Sequence, residues 1–166
     1  MLLLEGVADV DREFLLTLER IYTVLDDLDQ KKMDRDYPVL WEKVHATSCA
    51  QVGRMLAQRR GQDAALAALA CAIHDIGRWF SGQQADHARR GEEPARWFLQ
   101  QSGLDSERQD RIVQAVINHS DKEAVGSPLD ELVKDADILD CFWHGDDITR
   151  PFHAARLKKL LKEIGI

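Results

Sequence analysis

Apolar residues recur along almost the whole chain at steps of three and four, the period of an α-helix with one buried face. Val10, Phe14, Leu15, Leu18, Ile21, Tyr22 and Leu25 form the first such stripe, opened by the acids Asp9 and Asp11, which suit a helix N-terminus. The charged stretch from Asp26 to Asp36 closes at Tyr37-Pro38. Pro38 fits the first turn of a second helix over about Val39–Arg60, which Gly61 stops. Asp63 caps a third helix that runs through an alanine-rich segment to about Asp75, with Gly77 beyond its end. Gly82 marks a loop, and a fourth helix carries Trp97, Phe98 and Leu99 and ends near Ser102-Gly103. Ser106-Glu107-Arg108-Gln109 has the form of a capping box, opening a fifth helix with Ile112, Val113, Val116 and Ile117 inward. Ser127-Pro128 starts a sixth toward Gly145, and Pro151 a seventh with Leu157, Leu160, Leu161 and Ile164 as its stripe. No segment alternates with the period of a strand. The pattern predicts an all-α, single-domain bundle of about seven helices.

Composition narrows the partners. With 166 residues and 45% hydrophobic content, the chain can bury one core and no second full domain is expected. A net charge of −7 argues against a nucleic-acid polymer as partner. A nucleotide in one locally positive pocket stays open. No run approaches the ~20 apolar residues of a membrane span, so no membrane partner is expected. Met1-Leu2-Leu3-Leu4 meets Glu5 at once and lacks a basic start, unlike a signal peptide. Cys49, Cys71 and Cys141 are odd in number and widely spaced, which fits a reducing cytoplasm better than a disulfide framework.

The chemistry begins at His74-Asp75, placed at the end of the most apolar helix. An unpaired carboxylate there costs several kcal/mol or loses its charge. A metal ion resolves the conflict, with Asp75 as ligand and His74 as neutral nitrogen donor. Adjacent helical residues point about 100° apart, so one ion meets both only at a helix end or in a cleft. Gly77 is consistent with such an end. Further donors lie on separate predicted helices, with His45 on the second, His119 closing the fifth, Asp137 on the sixth, and His87 after the loop. Bundles build metal sites in this way, from side chains that project inward from facing helices. Each residue alone has a bland alternative, because a single histidine is more often a hydrogen-bonded partner than a ligand. That alternative is applied to His144 and His153.

The ordered set resembles the HD-domain metal-dependent phosphohydrolase superfamily, whose hallmark is a His, a His-Asp pair and a distant Asp on helices. His45, His74-Asp75 and Asp137 match it. Ala70-Cys71-Ala72-Ile73-His74-Asp75-Ile76-Gly77-Arg78 resembles the family's apolar run into His-Asp-Ile-Gly. Asp86-His87-Ala88-Arg89-Arg90-Gly91 resembles its next His-x-x-x-Gly segment, and Ala115-Val116-Ile117-Asn118-His119 its helix ending in His. Lys134-Asp135-Ala136-Asp137-Ile138-Leu139-Asp140 resembles its Asp-Ala-Asp-x-Leu-Asp signature. The match covers about residues 40–145, with the first and last helices as additions to a five-helix core.

The resemblance implies hydrolysis of a phosphate ester or anhydride around a divalent metal, which the pattern leaves open among Mn, Fe, Co, Ni, Zn and Mg. His45, His74, Asp75 and Asp137 are then the ligands. In two-metal members the pair's Asp bridges the ions and two further histidines complete the second site. The 12-residue interval from Asp75 to His87 is closer to one-metal members, so one ion is expected, with His87 and His119 meeting the substrate. Asp75 can also take a proton from a metal-activated water. Arg78, one turn beyond Asp75, is the first choice for phosphate, because its fork suits phosphate oxygens. Lys134, Arg89 and Arg90 are weaker choices. Glu42, three residues before His45, reads as half of a surface ion pair, and the cysteines as packing behind the site. Trp79-Phe80 and Phe142-Trp143 can stack on a nucleobase or pack a core or homodimer face. A small phosphorylated substrate, with a nucleotide as leading candidate, is expected. Two alternatives stay open: a di-iron oxygenase, which needs His87 and His119 as ligands, and a non-catalytic metal or ligand sensor.

Overall fold

The computed structural model describes residues 9–166, with side chains from Arg12 onward. The Met1–Leu4 reading and the side chains of Asp9, Val10 and Asp11 lie outside the described residues. Within them the chain is all-α: α1 (Asp9–Gln30), α2 (Val39–Arg59), α3 (Ala64–Ile73), α4 (Ile76–Ser81), α5 (His87–Arg90), α6 (Glu92–Leu99), α7 (Ser106–Asn118), α8 (Pro128–Trp143) and α9 (Pro151–Ile164). The seven long helices are those the periodicity predicts. The short α4 and α5 occupy the stretch that reads as loop around Gly82, where no window is long enough to display a period.

Local signals set most boundaries. Asp63 Oδ1 accepts from the Ala65 and Leu66 amides at 3.1 and 3.0 Å and starts α3. Ser127 and Asp130 exchange side-chain and backbone hydrogen bonds as a true capping box at α8, and Pro128 follows at the first position. At α7 the cap is Asp105, whose Oδ1 accepts from the Arg108 amide at 2.8 Å. Ser106 is therefore already helical, and the expected capping box sits one residue too late. The first helix runs past Leu25 to Gln30 because Leu28 is also buried, whereas Leu15 and Tyr22 of the expected stripe face solvent.

One hydrophobic cluster draws side chains from every helix except α5, with Ile21, Leu56, Ile73, Trp79, Phe98, Ile112, Leu132 and Leu160 among its members. A short connection makes α2 and α3 antiparallel neighbours, and they pack closely. A Cβ on Gly53 of α2 would lie 2.4 Å from Cys71 Sγ on α3. Cys49 and Cys71 are fully buried there, in the packing role expected of them.

The chain reverses sharply after α3. Residues His74 and Asp75 form the turn between α3 and α4, so the pair does stand at a helix end. Gly77 is inside α4, not beyond a helix, and its bare Cα is a contact surface: a Cβ would lie 2.0 Å from His87 O and 2.5 Å from Gly91 N. This close approach folds α5 back over the His-Asp turn only 12 residues later. Gly77→Ala should cost about 1–3 kcal/mol, the usual range for overpacking, read as a lower midpoint in thermal or urea unfolding.

Candidate metal centre

Four helices and the α3–α4 turn bring six side chains to one end of the bundle. The Nε2 atom of His45 (α2) lies 3.2 Å from His74 Nε2, and 3.4 Å from both Asp75 Oδ2 and Asp137 Oδ1 (α8). His74 Nε2 is 3.3 Å from Asp75 Oδ2 and 3.6 Å from Asp137 Oδ1. The other carboxylate oxygen of Asp75 faces a second group. His87 Nε2 (α5) is 3.1 Å from Asp75 Oδ1, His119 Nε2, just past α7, is 3.4 Å from it, and the two nitrogens are 2.9 Å apart.

Outer hydrogen bonds orient every ring. His45 Nδ1 meets Asp140 Oδ2 at 2.7 Å, and the Nδ1 atoms of His74, His87 and His119 meet the carbonyls of Cys71, Gln84 and Val116 at 2.6, 2.7 and 2.6 Å. Those acceptors require Nδ1–H to donate outward, so all four Nε2 atoms turn inward, where each unprotonated ring can offer a lone pair to a cation. Ligands on an ion with bonds of ~2.0–2.2 Å stand roughly 3.0–3.5 Å apart. The donor sets span 3.2–3.6 Å and 2.9–3.4 Å, close to that spacing, so the residues fit a metal: His45, His74 and Asp75, with Asp137 beside both rings, can hold one ion, and Asp75, His87 and His119 another.

The electrostatics of the ion-free chain agree. Burial opposes charge on His45, but the carboxylates of Asp137, Asp140 and Asp75 raise its pKa well above the ordinary histidine value. Burial likewise opposes a charged His74, and Asp75 wins in the same direction. Burial would lift the Asp75 and Asp137 carboxyls, yet His74 and Arg78 hold the first, and Lys122 and His45 the second, well below the usual range. Burial pushes His119 down to about 4, with Asp75 opposing it. Protons on His45 and His74 thus supply the positive charge the carboxylates require. An ion must expel those protons.

Arg78 is at the centre but is committed. Its Nε and Nη2 grip Glu42 at 2.8 and 2.9 Å, Nη2 also meets Asp75 Oδ2 at 2.6 Å, and Nη1 donates to Gln84 Oε1 at 2.7 Å. Glu42 is accordingly buried and paired with Arg78, not on the surface as the sequence suggests. Lys134 does not reach the site. Its Nζ is held by Ala124 O at 2.7 Å and Glu131 Oε1 at 3.1 Å beneath the α7–α8 connection.

A cavity of about 390 Å³ opens over the centre, walled by Tyr37 and Trp41, by Lys122, and by Asp146 to Arg150 with His153. Arg89 and Arg90 do not line it. The expected aromatic pairs are elsewhere: Trp79 is buried, Phe80 packs edge-on against Trp97 at 5.8 Å, and Phe142 and Trp143 are exposed. Trp41 instead stacks on His45 with centroids 5.4 Å apart and planes 8° apart. Its place four residues before His45, on the same helix face, is the signal that could have found it. His144, set aside from sequence, packs edge-on to Trp41 at 5.2 Å.

The HD domain family model matches residues 44–141, spanning every donor residue of both sets. The chain belongs to the HD domain superfamily. No curated protein and no solved structure matches it at a significant level. HD domains bind divalent metals and most are hydrolases, and the donor sets found here suit that chemistry. Among the described residues of this HD domain, no helix is long and apolar enough to cross a membrane.

Two outcomes follow. Asp140→Asn should weaken metal binding by about 10–100-fold, the usual cost of losing an outer partner of a ligating histidine, measured by competition with a chromophoric chelator. Because His45 and His74 carry protons in the ion-free chain, metal affinity should fall as pH falls. Calorimetry in buffers of different ionisation enthalpy should detect the released protons.

Proposed function

We propose that this HD domain is a metal-dependent phosphohydrolase of a small phosphorylated molecule, with α1 and α9 added to the core as parts of one domain. The observation that carries this reading is the cavity of about 390 Å³ that opens over the donors with the Lys122 ammonium on its wall. Below it Asp75 is divided, one carboxylate oxygen facing His45 and His74, the other His87 and His119. That division favours two ions over the single ion expected from the short Asp75–His87 interval, with Asp75 as the bridge. His87 and His119 then act as ligands, not as direct substrate contacts.

When bound, the ions supply Lewis-acid charge on a phosphoryl oxygen and an acidified water. The chain's own residues do the rest. Asp140 and the three backbone carbonyls hold the imidazoles in the tautomer that ligation needs. Glu42 clamps Arg78, and Arg78 fixes Asp75 through Oδ2, so the carboxylate keeps its orientation whether or not substrate is present. Arg78 thereby becomes a positioning residue, with one remaining Nη1 hydrogen as its offer to substrate. Tyr37 and Trp41 give the leaving group an apolar wall, which suits a nucleobase and supports a cytoplasmic nucleotide as the leading substrate.

A second reading draws on the same division of Asp75, because His87 and His119 as ligands are what a di-iron oxygenase requires. The two readings separate on products. Metal-loaded protein should release inorganic phosphate from members of a phosphoester panel, and Asp75→Ala should abolish this while leaving the helical circular dichroism largely intact. Wild-type protein should hold about two ions per chain and His87→Ala about one, by elemental analysis. Oxygen consumption without phosphate release would favour the oxygenase.

A further inference from the structure

We infer that Lys122 is the chain's own contact to the substrate's phosphoryl oxygens, and that the group it receives is a terminal, dianionic phosphate. This rests on the phosphohydrolase reading and assigns a role that the ligand motif does not contain. Lys122 follows His119 by three residues and is 6% exposed. Its Nζ lies 2.5 Å from Asp137 Oδ2 and lines the cavity beside His119 and Asp137. Its backbone is fixed as well. Lys122 O accepts from Arg156 Nε at 3.0 Å, and Arg156 is locked by Glu131 at 2.6 Å and Asp135 at 3.0 Å.

A buried ammonium beside a metal centre needs explanation, because like charges in a desolvated site repel. In the ion-free chain Asp137 is its partner. Asp137 Oδ1, however, faces His45 and His74, so an ion held there takes a share of the same carboxylate charge. Lys122 is left with one hydrogen bond and two further donors next to the cavity, which calls for an anion. The other cations are less suited: Arg78 is neutralised by Glu42 and Asp75, Lys134 is turned away, and Arg150 is exposed at the rim.

The charge balance specifies the anion. The carboxylates at the centre are the buried Glu42, Asp75 and Asp140 and the half-buried Asp137, and the buried fixed cations are Arg78 and Lys122, while Asp146, Asp147 and Arg150 are solvent-exposed at the rim. Two divalent ions with neutral imidazoles would leave an excess of two positive charges. A terminal phosphate carries two negative charges, and a phosphodiester carries one.

Inorganic phosphate tests this without turnover. It would be titrated calorimetrically into manganese-loaded wild type, Lys122→Met and Lys122→Arg, with metal content measured for each. Lys122→Met should keep its metal and bind phosphate about tenfold or more weakly, as expected for loss of a charged hydrogen bond, and Lys122→Arg should recover part of that affinity. Dimethyl phosphate, a monoanion, should bind wild type more weakly than phosphate. Unchanged phosphate affinity in Lys122→Met overturns the assignment, as does failure of wild type to bind phosphate. Loss of metal from Lys122→Met also overturns it, by reducing Lys122 to a support for Asp137. Lys122-dependent phosphate binding in a protein that hydrolyses no phosphoester would uphold the subsite and refute the hydrolase reading.

Discussion

A carboxylate that is 4% exposed at the end of an alanine-rich helix stays ionised only if positive charge surrounds it, and Asp75 is such a carboxylate. Burial works against its charge, and histidines, an arginine and the protons they carry reverse that tendency. Every other feature of this end of the bundle can be derived from that requirement. Facing helices deliver His45, His87 and His119 to within 3.4 Å of the Asp75 carboxylate and Asp137 to 3.4 Å from His45, although each would be costly to bury alone. Protons satisfy the cluster in the ion-free chain, and a divalent cation held by these donors would take their place.

The supports are rigid for the same reason. Glycine at position 77 lets the backbone of α5 lie against α4, and glycine at position 53 lets α2 and α3 approach until Cys71 fills the gap. Both contacts fix distances between ligand-bearing elements, so a side chain added at either position would displace a donor as well as strain the core. Three of the four outer acceptors are backbone carbonyls of the ligands' own helices or turns. Orientation of those rings thus comes with the helical geometry, and only His45 needs a dedicated carboxylate, Asp140.

This explains which parts were legible in sequence. The long helices show as period and caps, His74-Asp75 shows as a polar pair at the end of an apolar helix, and His45 and Asp137 join it through the resemblance to the HD-domain pattern. Asp105 was missed because both it and Ser106 are good caps, and only the backbone decides between them. Lys134 and Lys122 illustrate a different limit. Both follow or precede a ligand by three residues, yet Lys134 is drawn to Ala124 O and Glu131 while Lys122 turns inward to Asp137. Spacing along the chain could not reveal that choice, nor the burial of Glu42, because the partner Arg78 is 36 residues away. The 12-residue interval could not show how near His87 comes to Asp75 for a related reason: chain length measures reach, whereas Gly77 sets how sharply the chain folds back.

The central claim is that the two oxygens of Asp75 serve two ions. Anomalous diffraction from a manganese-loaded crystal tests it directly. Two difference peaks roughly 3.5–4 Å apart, one against Oδ2 with His45, His74 and Asp137 and one against Oδ1 with His87 and His119, are the predicted result. A single peak with His87 and His119 paired to each other, or any ion bound without Asp75, would contradict the account.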